Sequence, residues 1–212
     1  MKFKTILIIA LIVLTTFIIY LATIDRKVYY LDLNISNYKY EKSTRNYLKN
    51  KAKLEKFVTG YIEEDYRTTD LINDIKDNKY IILKNKKQTI KNALIKADLV
   101  TLTTGFNDFN YKIETENLKD LYNYADKVLI DIEELLEQVR QYCKEDIIFI
   151  GLNNIYGKNY EELFQYINNK IGEICYDNKI YFINPMEFEK DINVNQEIKK
   201  QIKQIIDDKI LD

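Results

Sequence analysis

Short apolar, β-branched runs alternate with longer amphipathic stretches along most of this chain, and that alternation limits what it can fold into more than any single motif does. The strongest run is Leu99-Val-Thr-Leu-Thr-Thr104, which is apolar on both faces as a buried parallel strand requires. The runs Val28–Leu33, Lys56–Ile62, Ile147–Gly151 and Ile180–Ile183 read as four further strands. Between and after them, Ser43–Leu54, Thr69–Asn78, Lys87–Lys96, Asn117–Cys143, Tyr160–Cys175 and Asn195–Leu211 read as helices. The longest of these repeats Leu121, Val128, Ile132, Leu135, Leu136 and Val139 at helical spacing. Strands alternating with helices through right-handed crossovers give a parallel sheet covered on both faces. One proline and five glycines leave few linkers, so the pattern predicts a single α/β domain with no repeat.

The N-terminus carries a second firm signal. Lys2 and Lys4 precede Thr5–Ile24, a run without charge that is dominated by Ile and Leu. As a helix this run is about 30 Å long, one hydrocarbon core. No Ala-x-Ala-like site precedes Asp25, and the run has no cysteine for lipid attachment, so an uncleaved anchor is expected rather than a cleaved signal peptide. Arg26 and Lys27 nearly balance Lys2 and Lys4, so flanking charge says little about orientation. A large domain behind an N-terminal anchor is normally exported. The expected organisation is residues 1–24 as a transmembrane signal anchor and residues 25–212 as the domain. The expected location is a single-pass protein of the cell membrane with its domain outside, its membrane partner held by residues 5–24.

Composition removes several function classes. Thirty-two basic and 33 acidic residues nearly cancel, which leaves no global electrostatic case for nucleic acid. The sequence has no glycine-rich phosphate loop, no zinc-spaced cysteine cluster and no acidic metal motif, so neither cofactor nor metal is expected. Eighteen tyrosines are scattered along the chain rather than grouped as a stacking surface; with the abundant Lys, Ile and Asn they fit an AT-rich coding bias. Cys143 and Cys175 each fall near the end of a helix. In an exported protein they are either a disulfide or two separate thiols.

The chemistry concentrates after the third strand. Gly105 ends that strand, and Asn107 and Asp108 follow at its carboxyl end, the edge at which open α/β sheets bind ligands. A side-chain amide there can donate to a developing oxyanion, although Gly, Asn and Asp are also ordinary turn residues. Asn153, Asn154 and Tyr156 follow the fourth strand at the same edge, where Asn154 or Tyr156 would line a cleft or simply form a loop.

The stretch from Ala97 to Asp108, ADLVTLTTGFND, resembles the block of the SGNH/GDSL hydrolases that supplies their oxyanion-hole asparagine. Two further segments are similar to blocks of that lipase and esterase superfamily, in the same order. Asp65-Tyr-Arg-Thr-Thr-Asp-Leu-Ile-Asn-Asp-Ile75 resembles the turn and helix of bacterial members, and Val28-Tyr-Tyr-Leu-Asp-Leu-Asn-Ile-Ser36 resembles the first strand with its nucleophile motif. The resemblance covers the chain from Val28 onward. It implies a flavodoxin-like three-layer α/β/α fold with a five-stranded parallel sheet, and an acyl-ester, lipid or glycan ligand. On the resemblance, Ser36 stands as nucleophile, and Asn107, Gly105 and the backbone of Asp65 as the oxyanion site.

The departures carry as much weight. Gly-Asp-Ser is replaced by Asn34-Ile35-Ser36, and a carboxylate, Asp65, stands where the family has an oxyanion glycine. Where the family has Asp-x-x-His before its last helix, this chain has Asp191 and Asn193, and it contains no histidine at all. A serine hydroxyl needs an adjacent base that later returns the proton, and imidazole titrates in the right range. Asp191 would need its pKa raised by several units to substitute. Losing the base costs on the order of 10⁴–10⁶ in rate. The sequence therefore predicts a hydrolase fold with impaired catalysis; an unconventional active esterase and a noncatalytic cell-envelope binding module are the alternatives.

Overall fold

The computed structural model describes residues 13–15, 27–36, 38–83, 86–113, 115–189 and 192–211. All but three residues of the expected anchor therefore lie outside the described residues. Among the described residues, no helix is long and apolar enough to cross a membrane.

Five strands form one parallel sheet: β1 (Val28–Asn34), β2 (Leu54–Val58), β5 (Leu99–Thr103), β6 (Asp146–Ile150) and β7 (Tyr181–Ile183). Their order is β2-β1-β5-β6-β7. The first crossover thus runs one way from β1 and the later ones the other, which opens a crevice at the carboxyl ends of β1 and β5. Asp32 lies opposite Thr101 and Asn34 opposite Thr103 across that central pair.

Helices cover both faces. On one face α1 (Glu41–Asn50) and α7 (Val194–Ile205) enclose Tyr30, Leu48, Leu99, Ile148, Ile198 and Ile202. The other face carries α2 (Thr68–Lys76), α3 (Ile90–Lys96), α5 (Leu118–Tyr142) and α6 (Glu161–Asp177) over the larger core. The α5 stripe is buried as its spacing predicts, with Leu121, Val128, Ile132, Leu135, Leu136 and Val139 all inward. A short helix, α4 (Phe106–Asn110), follows β5 directly. The expected three-layer arrangement with a five-stranded parallel sheet is therefore present in the domain.

Two local expectations are corrected. The helix predicted over Lys87–Lys96 starts only at Ile90. Lys86–Thr89 is instead β4, paired antiparallel with β3 (Tyr80–Leu83) in a separate hairpin. The hairpin is held by Tyr61, whose hydroxyl donates to the Gln88 carbonyl at 3.0 Å, and by a Gln88 amide that donates to the Tyr29 hydroxyl. The second strand is shorter than predicted, ending at Val58, because the chain turns at Gly60 with φ +96°. Cys143 and Cys175 are separate buried thiols. Burial pushes the Cys143 thiol up to about 11, which keeps it protonated.

At the amino edge of the sheet, Arg140 closes the ends of two helices. Its guanidinium donates to the carbonyls of Cys143, Glu145, Asn178 and Lys179 at 2.7–3.2 Å. These include carbonyls that no helical turn can satisfy.

Inside the sheet, Asp32 is almost fully buried and accepts from the Thr101 hydroxyl at 2.7 Å. Burial raises its pKa to about 7, against the opposing effect of the Thr101 hydrogen bond. An unfolded chain releases this proton near pH 4, whereas the folded one holds it to near neutrality. Stability from this group is thus complete below about pH 4 and declines as pH rises to about 7. We expect Asp32→Asn to raise stability at about pH 8 by on the order of 2–4 kcal/mol and to flatten this decline. Urea denaturation from pH 5 to pH 8 checks it; equal slopes for both proteins would contradict the assignment.

Candidate functional site

The site begins with the amide of Asn34, the last residue of β1. Its Oδ1 accepts three hydrogen bonds: from the Thr103 hydroxyl at 2.7 Å, the Ser36 hydroxyl at 2.6 Å and the Ser36 N–H at 2.9 Å. Its Nδ2 donates to the Tyr38 carbonyl at 2.8 Å. Asn34 thereby folds the chain after β1 back over the sheet edge. The Ile35 N–H, donating to the Thr103 carbonyl at 3.1 Å, continues the strand ladder by one residue. The Tyr38 hydroxyl reaches across to the Gly151 carbonyl at 3.0 Å, tying this loop to the one after β6.

The second wall grows from β5. Gly105 sits at φ +90°, a left-handed conformation that permits the sharp turn from strand into α4. The turn aims Asn107 at the loop before α2, where its Nδ2 donates to the Tyr66 carbonyl at 2.8 Å. Asp108, next in the chain, is buried and accepts from the Thr68 N–H at 3.1 Å and the Thr68 hydroxyl at 2.9 Å. The hydroxyls of Thr68 and Thr104 are 2.7 Å apart. Burial raises the Asp108 pKa, and the bonds from Thr68 oppose that rise. Asp108 is thus a brace joining α2 to α4, while the Thr68 and Thr104 hydroxyls join α2 to the end of β5.

The third wall is the loop Ile62–Arg67. Asp65 holds φ +61°, a conformation that Asp and Asn adopt more readily than other non-glycine residues. Lys79 secures the loop from behind, contacting Glu63 at 2.6 Å, Asp74 at 3.1 Å and the Tyr66 hydroxyl. Partial burial alone would lower the Lys79 pKa, but its bonds to Glu63, Tyr66 and Asp74 raise it, so the ammonium is fixed. The Lys79 contact correspondingly lowers the Glu63 pKa.

These three walls enclose a cavity of about 290 Å³, and Ser36, Asp65 and Asn107 all line it. Residues assigned from three separate segments of sequence thus meet at one sheet edge. Gly105 serves through its backbone, as the turn that presents Asn107. Glu63 and Glu64 also line the cavity, with no motif in the sequence to mark them, as does Asn34, which the sequence presents only as part of the altered nucleophile motif. The signal for Asn34 was its position, one strand period beyond Asp32 and at the end of β1.

The remaining expectations fall elsewhere. Asp191 lies outside the described residues. Asn193 caps α7, accepting from the Gln196 N–H at 3.2 Å. Asn154 closes its own loop, accepting from the Tyr156 N–H at 3.0 Å and donating to the Gly157 carbonyl at 2.8 Å. It borders a second hollow of about 540 Å³ with Asn153, Met186 and Phe188. Tyr156 packs against Phe164 and Phe106, with ring centroids 5.7 and 6.2 Å away, and its hydroxyl meets Asn110 at 3.0 Å. It braces the cavity from behind. Asn168 fixes the same loop through the N–H and carbonyl of Leu152, at 2.8 and 2.7 Å. Gly151 is required beside it, since a Cβ there would lie 2.2 Å from the Asn168 Oδ1. Among the described residues, no group of His, Cys, Asp and Glu is placed to hold a metal ion.

Chemically, the Ser36 hydroxyl donates to an amide oxygen, which is far too weak a base to take its proton. The bond orients the serine without activating it.

The sheet order, the crevice and the loops around it define an SGNH-hydrolase-like fold. Solved esterase structures share it. A catalytic mutant of an acetylxylan esterase from Geobacillus stearothermophilus superposes with a TM-score of 0.56 at 13% identity, over 86% of this chain and 95% of that one. An acetyl xylan esterase gives a TM-score of 0.50 at 14% identity, over 85% of each chain. A gut microbial diltiazem-metabolizing enzyme gives 0.57 at 11% identity, over 89% of this chain but 41% of its own. No protein-family model matches the chain, and no curated protein matches it in sequence.

The three bonds accepted by Asn34 make it the structural centre of the site. We expect Asn34→Ala to cost about 2–4 kcal/mol, because Ser36 and Thr103 lose a shared acceptor. Ser36→Ala should cost less than about 1.5 kcal/mol. Urea unfolding of both variants checks the ranking, and a reversed order would refute it.

Proposed function

We propose that this chain is a membrane-anchored, exported SGNH-hydrolase-like protein that uses its cleft to bind a cell-envelope ligand, with little or no ester hydrolysis. The observation that carries the reading is the Ser36 hydroxyl, committed at 2.6 Å to the amide oxygen of Asn34 in a chain without histidine. Without a base, the hydroxyl stays a weak nucleophile at neutral pH, and the leaving alcohol has no acid to protonate it. The anchor rests on the apolar run Thr5–Ile24 and its flanking charges. Export of the domain follows from the usual fate of a large domain behind such an anchor.

The ligand class follows from the lining. Ser36, Asn107 and Asn110 present a hydroxyl and amides, while Ile35, Ile62 and Phe106 supply a limited apolar wall. That favours a hydroxylated, glycan-like ligand over a long acyl chain. The acetylxylan esterases that share the fold point the same way.

A second reading keeps catalysis. Ser36 and Asn107 share one cavity, which supports a slow, unconventional serine esterase. Fluorophosphonate labelling and short-chain ester turnover distinguish the two. We expect no covalent labelling, and turnover indistinguishable from that of Ser36→Ala. Labelling that disappears in Ser36→Ala would establish an active nucleophile and overturn the binding reading.

A further inference from the structure

The two helical layers carry opposite charge. On one face, α1 with Lys51 and α7 with its following turn to Lys209 hold eight basic and four acidic side chains. On the other, α2, α3, α5 and α6 hold seven basic and twelve acidic ones. In a chain of net charge -1, the basic excess is therefore concentrated on one side. Between α1 and α7 lies an open hollow of about 570 Å³ with Tyr47, Lys199, Lys200 and Lys203 on its walls. Asp207 and Asp208 also line it, but Asp207 is occupied by the Tyr47 hydroxyl and by Lys51 at 3.5 Å. Glu197 is likewise paired with Lys200 at 3.3 Å. Lys42 and Lys49 are exposed, and neither they nor Lys199 is in an ion pair among the described residues.

The chain enters the domain at the foot of this layer. The apolar run ends at Ile24 and β1 begins at Val28. That separation spans at most about 14 Å of extended chain. An anchor formed by the run therefore holds the amino end of β1 beside the headgroups. Lys27 donates through its Nζ to the Ala52 carbonyl at 2.6 Å, which sets the point of entry against the corner just after α1. The ends of α1 and α7 meet at the same corner, through Lys51 and Asp207.

A basic face beside a short tether fits an anionic surface. We infer that the α1/α7 face docks on the anionic phosphate headgroups of the bilayer that carries the anchor. This rests on the anchor proposed above and is independent of what the cleft binds. The tether keeps the local concentration of headgroups high, so individually weak lysine contacts suffice. The acidic layer of α5 and α6 is repelled by the same surface and faces away from it.

The full-length chain in nanodiscs of phosphatidylcholine, alone or mixed equally with phosphatidylglycerol, tests this. A fluorophore is placed on Gln204→Cys at the basic hollow or on Ile130→Cys on α5, both exposed positions, and is quenched by headgroup spin-labelled lipid. Cys143 and Cys175 are buried, and the chain without an added cysteine controls for their labelling. Quenching at Gln204→Cys should be at least about threefold stronger with the anionic lipid, and quenching at Ile130→Cys unchanged. The difference should collapse at about 1 M salt, where the Debye length is about 3 Å. It should also vanish in the triple variant Lys42→Gln, Lys49→Gln, Lys199→Gln, which removes no ion pair and whose fold circular dichroism and thermal melting verify. Should that variant fail to fold, the salt dependence of the unaltered chain decides. Equal quenching at Gln204→Cys in both lipids, or a difference that survives high salt or the folded triple variant, would overturn the inference and leave the anchor standing. Binding of soluble dextran sulfate without docking on anionic lipid would assign the face to a polyanion and overturn it as well. Release of the chain from the bilayer by an alkaline wash would overturn the anchor and this inference together.

Discussion

The pairing of β1 with β5 decides where every other group at the site falls. With Asn34 opposite Thr103, the chain leaves both central strands at the same height, and the two following loops face each other across the crevice. Because side chains alternate along a strand, a one-residue slip would carry Asn34 to the opposite face of the sheet. The Thr103 hydroxyl would then lose its amide partner, and Ser36 would lose its anchor. The whole polar edge depends on that register.

The architecture was legible because its causes are local. A parallel strand buried on both faces must be apolar throughout, and Leu99–Thr103 and Asp146–Ile150 are nearly so. A helix against a sheet must repeat its apolar residues every three or four positions, as Leu118–Tyr142 does. The β3–β4 hairpin was hidden for the converse reason. Lys86-Lys87-Gln88-Thr89 has no apolar alternation, and from Lys87 onward the spacing suits a helix. Its strand identity comes from pairing with Tyr80–Leu83 and from the Gln88 contacts, which no local pattern encodes.

The candidate site was legible in part. Ser36, Asp65 and Asn107 were reached through segments with recognisable spacing, and they line one cavity. In the sequence Asn34 stands only as part of an altered nucleophile motif, yet in the fold it organises the entire edge. Its importance depends on three partners, one of them 69 residues away in sequence. Glu63 and Glu64 come to line the cavity only when their loop is folded beside Asn107. Asp191 and, apart from residues 13–15, the apolar run before Asp25 lie outside the described residues.

Each loop around the cavity is tied to a neighbour: the first by Asn34, the second by Asp108 and Thr68, and the third by Lys79 and Asn107. The consequence concerns the cost of recognition. A pocket whose walls are already fixed requires little loop ordering when a ligand arrives, so little conformational entropy is lost at that step. Affinity then depends mainly on how well a ligand exchanges its own water shell for the fixed polar groups of the wall. Because Asp108, Thr68 and Lys79 are distinct from Ser36 and Asp65, the positions of the second and third walls do not depend on those two side chains.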